Sequence, residues 1–453
     1  MGVSYLIGLL VTFLPEARRH FAEISGRVLA DRSPLIPIGA ALVLIATFAV
    51  HLGAFDRAAI AQHSVPFPVP IQYFYGDVRA SDAVSNLVLV LAILESLALA
   101  VFVLGLRALG PRGSFVAIGV VAAALAGIAL GARAEDSPDP YLYVGQALLG
   151  AGAYRPPAIA FSGDLATINR VWDTPILPSA YGPLWTALAG GVIALAPTLI
   201  GKLFALRLLG LAAILVCGAL AGLLGLSRTI VAAVVCNSAL YDLFVAGAHN
   251  DLAGVDFAIA AMVALKRQRV LAAIALGICA ALVKITLLPV VAVAAIFLPT
   301  FAARVRFVAA ITVVALIAYY LGTHGNGFWA LRYVSLAYGA PRPLGSTILK
   351  TLLELVAAVA VGFAIVRGRV RGRAAWAFSA LGVNPLGWYL AWSFPVAFAS
   401  EDMAYAFLLT LPVAAYVESA VYAETIPFQI VRGIIVFALI ATLAYAYRPN
   451  RAR

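Results

Sequence analysis

The residues best suited to chemistry in this chain are carboxylates set beside aromatic rings. In the run EDSPDPYLYVGQ, Glu135 to Gln146, the carboxylates Glu135, Asp136 and Asp139 precede Tyr141, Tyr143 and Gln146. A carboxylate next to an alcohol can take its proton as general base, and phenol rings and an amide can stack on and hydrogen-bond a sugar. A second cluster, GAHNDLAGVD from Gly247 to Asp256, sets His249, Asn250 and Asp251 in succession between apolar stretches. Facing lipid, such groups would be unfavourable by several kcal/mol, since a charge at mid-membrane alone costs about 2.5–3.5 kcal/mol. They must therefore line a polar cavity or an interface. Lys284 in ALVKITLLP is a lone cation in an apolar stretch, and it either snorkels to the interface or meets an anion such as a phosphate. Aromatic residues recur in WDTPILPSAYGPLW, with Trp172 and Tyr181, and in NPLGWY, with Trp388 and Tyr389; belt anchoring at the membrane surface is the plainer role for them. No group of residues has metal-ligand spacing, so neither a metal nor another cofactor is expected.

The elements that must position these residues are membrane helices. Of 453 residues, 64% are hydrophobic and 11% charged, against roughly 45–50% and about 25% in soluble globular chains. Apolar runs of crossing length recur from Pro37 to Tyr447, which predicts an all-α membrane fold, a polytopic bundle of about 12–14 transmembrane helices. The formal charge of +11 arises from 31 Lys and Arg against 20 Asp and Glu. Because the basic residues cluster between apolar segments, they follow the positive-inside rule, which implies a lipid bilayer as partner and no nucleic acid. Cys217, Cys236 and Cys279 lie inside apolar segments without paired spacing and read as packing residues. The start lacks the basic region and cleavage site of a signal peptide, so residues 1–34 are expected to form an interfacial segment ahead of one transmembrane domain over 35–453.

Sidedness follows from the basic clusters. With Glu16 to Arg32 at the cytoplasmic face, the segments Pro37–Leu52, Ala83–Leu106 and Phe115–Ala132 cross in turn, and RALGPRG, Arg107 to Gly113, is a cytoplasmic turn. The polar stretch 133–180 then becomes a large extracytoplasmic loop. KRQR (266–269), ARVR (303–306), RGRVRGR (367–373) and the tail RPNRAR belong to the cytoplasmic side. The apolar chain between Arg269 and Arg304 is too short for two full crossings and must turn near Lys284, while Pro and Gly in NPLGWY supply a second break. Both breaks point to the face that carries loop 133–180. Between Tyr181 and Leu265 four apolar segments must make an odd number of crossings, so one is re-entrant or interfacial, and Tyr181 to Pro197 is the candidate.

In order along the chain, DPYLY followed by Gln146, YGPLW from Tyr181, GAHND, the Lys284 segment with its following proline, and NPLGWYLAW resemble the C superfamily of integral-membrane glycosyltransferases. The pattern is most similar to the polyprenol-phosphate-mannose-dependent mannosyltransferases and runs from about Asp139 to Trp392. The resemblance implies a helix bundle whose first large outer loop carries an acidic catalytic residue, which the D-x-Y-x-Y pattern sets at Asp139. It implies a polyprenyl-phosphate sugar donor, with mannose the expected sugar, a glycan or glycolipid acceptor, and an inner-membrane protein with its site on the extracytoplasmic side. Tyr141, Tyr143, Gln146, Trp172, Tyr181, His249, Asn250, Asp251, Lys284, Trp388 and Tyr389 are the expected substrate-binding residues, with Lys284 on the departing phosphate and Arg155, Arg332 and Arg342 as second choices. The chain departs from the family where a Pro-Trp-Tyr is common, because Leu386 and Gly387 separate Pro385 from Trp388. A multi-span transporter or lipid flippase is the rival class, but no internal repeat of the kind transporters carry is visible.

Overall fold

Within lipid a backbone has no water to bond, so long apolar runs satisfy their N–H and C=O groups internally as helices. The computed structural model describes residues 33–63, 82–132, 138–172, 174–338, 344–382, 387–399 and 401–422, and among these the regular structure is helical, as an all-α membrane protein requires. Met1 to Arg32, Glu135, Asp136, Arg342, Asn384 to Leu386 and the tail RPNRAR lie outside the described residues.

Four helical stretches among the described residues are long and apolar enough to cross a membrane: Leu35–Ala54, Asn86–Gly131, Leu199–Leu223 and Phe301–Gly322. The bent pair Arg228–Val235 and Ser238–Ala246 makes a fifth. At 46 residues, Asn86–Gly131 far exceeds the ~20 needed for one crossing. It joins α2 (Asp82–Gly105) to α3 (Gly110–Gly131). They divide at the expected basic turn, where a 3-10 turn spans Leu106–Leu109 and Gly110 takes φ +65°, a conformation glycine adopts freely. α1 (Leu35–His63) packs against both.

Next come α4 (Asp139–Leu149), α5 (Ala166–Trp172), α6 (Pro183–Ile193), α7 (Leu199–Leu223), α8 (Arg228–Val235) and α9 (Ser238–Tyr241). With 11 residues, α6 is too short to cross, and it occupies the stretch where the parity of crossings calls for a re-entrant or interfacial segment. A π-helical turn, Asp242–Ala246, continues α9; α10 (Asp251–Lys266) and α11 (Val270–Val283) follow. α11 stops at Lys284, whose backbone is extended at φ −153° and ψ 111°. A 3-10 turn, Ile285–Leu287, and the proline-started α12 (Leu288–Ala292) resume beyond it. The expected break at Lys284 is thus present. The chain ends its described part with α13 (Phe301–Gly322), α14 (Gly327–Tyr338), α15 (Leu344–Arg367), α16 (Phe394–Ala397) and α17 (Glu401–Tyr422). Two 3-10 segments, Gly372–Leu381 and Gly387–Ser393, flank the second expected break.

One apolar core threads the helices through Phe48, Phe102, Leu125, Phe244, Trp392 and Phe394. A second, built from Tyr141, Tyr143, Ile168, Ile176, Trp185 and Leu203, packs the stretch between α3 and α6 onto α6 and α7. Cys217 and Cys236 are buried and Cys279 half-buried, all three as free thiols.

Candidate active site

Asp139 opens α4, where the helix dipole favours a negative charge. Four residues on, the same helix face presents Tyr143. Its hydroxyl donates to Asp139 Oδ2 at 3.3 Å and lies 3.3 Å from the Tyr181 hydroxyl. Trp185 meets the Tyr143 ring edge-on, with centroids 5.4 Å apart. The stretch that follows α4 is fastened around it by two further bonds: the Trp172 indole donates to the Pro138 carbonyl at 2.8 Å, and the Gln146 amide donates to the Leu177 carbonyl at 3.0 Å. Close packing there needs Gly145, since a Cβ would lie 2.9 Å from Ile176 Cδ1.

Tyr181 is carried inward because two backbones touch. The Gly182 N–H donates to the Val283 carbonyl at 2.8 Å, and a Cβ on Gly182 would come within 2.0 Å of the Leu282 carbonyl oxygen. Tyr181 therefore stands beside Lys284, the residue after Val283. The Lys284 ammonium donates to Asp251 Oδ1 at 2.8 Å and lies 5.2, 4.6 and 5.3 Å from the ring centroids of Tyr181, Tyr389 and Trp392. Such distances give cation–π attraction. The sequence reading set this lysine at the outer surface, but it is only 7% exposed. A buried ammonium is tolerated when an anion pairs with it, and Asp251 is that anion.

Asp251 begins α10 and its Oδ1 also accepts from the Trp392 indole at 2.8 Å. Ala248, just upstream, has φ +48° and turns the chain between the π-helical turn and α10. That turn presses the His249 ring flat on Trp388, with centroids 3.7 Å apart and an 18° interplanar angle. His249 Nδ1 lies 3.7 Å from Asp139 Oδ2, near but beyond hydrogen-bond reach. Burial, and then the Lys284 charge, hold the His249 imidazole well below its usual range, so it is neutral at neutral pH. Burial also pushes the Tyr143 and Tyr181 phenols well above theirs, helped by Tyr181 and Asp139 in the first case and Asp139 in the second. Both remain O–H donors.

Asp139, Tyr143, Tyr181, His249, Asp251, Lys284, Trp388 and Tyr389, drawn from five separate motifs, thus meet in one contiguous cluster of side chains, called the chamber. Tyr141 is fully buried in the second apolar core. Gln146 and Trp172 hold the stretch between α4 and α6 in place, while Arg155 and Arg332 are exposed. Sequence reasoning missed Trp392, although it is a third aromatic residue four positions after Trp388 in NPLGWYLAW. Five buried side-chain atoms of the His249–Asp251 turn have no hydrogen-bond partner: both ring nitrogens of His249, both amide atoms of Asn250 and Asp251 Oδ2. Buried polar groups are nearly always paired, so these five atoms form an open set of both donors and acceptors.

Comparison with curated proteins found no match, and comparison with solved structures found none. The family model described as alpha-(1->6)-mannopyranosyltransferase, N-terminal domain, matches residues 40–304, more than half of the 453 residues. The matched region contains Asp139, Tyr181, the His249–Asp251 turn and Lys284. It agrees with the resemblance to membrane mannosyltransferases of the C superfamily that the motif order carries. Matched over that length, the chain belongs to the alpha-(1->6)-mannopyranosyltransferase family.

Proposed function

We propose that this membrane mannosyltransferase takes mannose from a polyprenyl-phosphate donor and passes it to a glycan or glycolipid acceptor at the extracytoplasmic face of the inner membrane, with Asp139 as general base. Residues 35–453 act in this reading as a single catalytic domain. The observation that carries it is the meeting of Asp139 with the unsatisfied His249–Asn250–Asp251 turn. A sugar supplies hydroxyl groups that donate and accept, which is what those five atoms lack.

In the transfer, the acceptor hydroxyl oxygen forms a bond to the anomeric carbon while the bond from that carbon to the phosphate oxygen breaks. Asp139 takes the hydroxyl proton, a contribution of typically 10²–10⁴-fold. The electron pair of the broken bond leaves with the lipid phosphate, and that charge needs compensation in a dry site. Lys284 is the cation available for it: already paired with Asp251, it offsets part of the negative charge that Asp139 and Asp251 would otherwise turn toward the phosphate. Trp388, already flat against His249, offers a face for a sugar ring, and Tyr181 and Tyr389 close the wall around the ammonium. A transporter or flippase does not fit a chain of this family.

The test is to incubate the purified protein with polyprenyl-phosphate mannose, other polyprenyl-phosphate sugars and nucleotide sugars, one at a time, with an oligomannoside acceptor. Transfer from polyprenyl-phosphate mannose alone is the expected result. Transfer only from a nucleotide sugar would overturn the donor assignment.

A further inference from the structure

Outside the chamber, α1 and α2 carry a second buried pair of ionisable groups that no step above uses. Glu95 in the middle of α2 is 1% exposed; its Oε1 lies 2.9 Å from His51 Nδ1 on α1, and its Oε2 accepts from the Ser238 hydroxyl at 2.6 Å. An ionisable pair inside membrane helices is expensive and points to a function. Ser238 is the place to look, because it begins the short helix that leads to His249.

The span from Arg228 to Ala246 is bent by 43° between α8 and α9, and three neighbours grip it at the bend. Glu95 of α2 holds Ser238. The Asn237 amide donates to the Leu408 carbonyl of α17 at 2.7 Å. Gly210 of α7 lets the π-helical turn approach so closely that a Cβ there would sit 1.6 Å from the Phe244 carbonyl oxygen. From this grip the chain runs without slack to the chamber. The Gly247 N–H donates to the Asp242 carbonyl at 2.8 Å and the His249 N–H to the Leu243 carbonyl at 3.2 Å, so the His249 turn is bonded back onto the π-helical turn. π-helical turns concentrate at functional positions, and here the wide turn sets the direction in which His249 leaves the helix.

We propose that Glu95, with His51 behind it, is a positioning residue for the transfer: through Ser238 it fixes the π-helical turn and hence the distance from His249 to Asp139. This rests on the reading that His249 serves the reaction. Misplacement by an ångström can lower a rate by about 100-fold, so Glu95→Gln, which keeps shape but weakens both bonds, should reduce kcat by roughly 10–100-fold. Ser238→Ala, a smaller change, should follow in the same direction. The thermal midpoint should stay within a few degrees of wild type while kcat falls, which a merely structural role would not predict.

The deciding measurement is a double-mutant cycle on residual transfer rates. If Glu95 acts through His249, Glu95→Gln added to His249→Gln lowers the rate by less than about 2-fold further. Multiplication of the two effects would overturn the positioning role, as would a wild-type rate in Ser238→Ala and Glu95→Gln. Should Glu95→Gln fail to fold, Ser238→Ala in the same cycle decides alone. A wild-type rate in His249→Gln by itself would bring down the reading of His249 and the clamp with it, a result distinct from multiplication in the cycle.

Discussion

The chamber and the Glu95 clamp are built from the same materials and finished differently. Each joins carboxylate, imidazole and hydroxyl groups from helices far apart in sequence, and each is buried. In the clamp, both oxygens of Glu95 are engaged, by His51 and by Ser238. In the chamber, His249, Asn250 and Asp251 leave five polar atoms without a partner. Leaving a buried donor or acceptor unmade costs about 1–3 kcal/mol, which a protein sustains where a ligand later completes the set. On the proposed reading, the clamp holds its helices and the His249–Asp251 turn waits for a ligand.

The sharpest way to break this comparison is at Asp139. Asp139→Asn keeps the shape but cannot take a proton at neutral pH, so transfer should fall by roughly 10²–10⁴-fold while the protein folds and inserts as before. Transfer at the wild-type rate would remove Asp139 from the role of base.

Lys284 comes next. Lys284→Met leaves Asp251 buried without its cation, an arrangement worth about 3–5 kcal/mol against the variant, and should weaken binding of a polyprenyl-phosphate sugar by about 100-fold or more. Lys284→Arg keeps the charge in a different shape and should weaken it less. Equal dissociation constants for wild type and Lys284→Met would show that the lysine serves only the fold.

Trp392→Phe keeps the ring over Lys284 and removes the N–H bonded to Asp251 Oδ1. A hydrogen bond to a charged group contributes about 1.5–3 kcal/mol, so a loss of roughly 10-fold in kcat/KM is expected. No loss would mean that Asp251 is held by Lys284 alone.

The smallest effect concerns sidedness, not rate. Ser162→Cys and Gln268→Cys place thiols at exposed positions of the stretch between α4 and α5 and of the basic turn after α10. With Cys279 replaced by serine to lower background, an impermeant thiol reagent added outside should label the first and spare the second, with transfer unaffected in both. Labelling of position 268 from outside would put the chamber on the cytoplasmic face.

Much of the chamber was legible in the sequence because its pieces are polar residues in an apolar chain, and such residues stand out. The Asp139 motif, the GAHND turn and the break at Lys284 are all exceptions to local hydrophobicity. What the sequence hid was pairing. Lys284 looked like a surface cation because Asp251, 33 positions away, was not visible as its partner. Glu95 and His51 went unnoticed in the sequence for the same reason, since 44 positions separate them. Trp392 was missed because its N–H partner, Asp251, lies 141 positions away. Short helices mark where the chain departs from simple crossings, as the 11-residue α6 does.

Keeping the His249 ring neutral also ties the protein's endurance to acidity. Burial, with the Lys284 charge second, makes this imidazole harder to protonate folded than unfolded. Its stabilisation is fully present above the unfolded value of about 6.5 and is lost as the pH falls from there through the lower folded value. Acid should therefore loosen the turn between the π-helical segment and α10 before it reaches the carboxylates. Purified wild-type protein should lose thermal stability between about pH 6.5 and about pH 5, and His249→Gln should lose less over the same interval. An equally steep loss in the variant would assign the acid lability to other groups; a shallower one would make this ring the part of the enzyme that decides how sour a medium it survives.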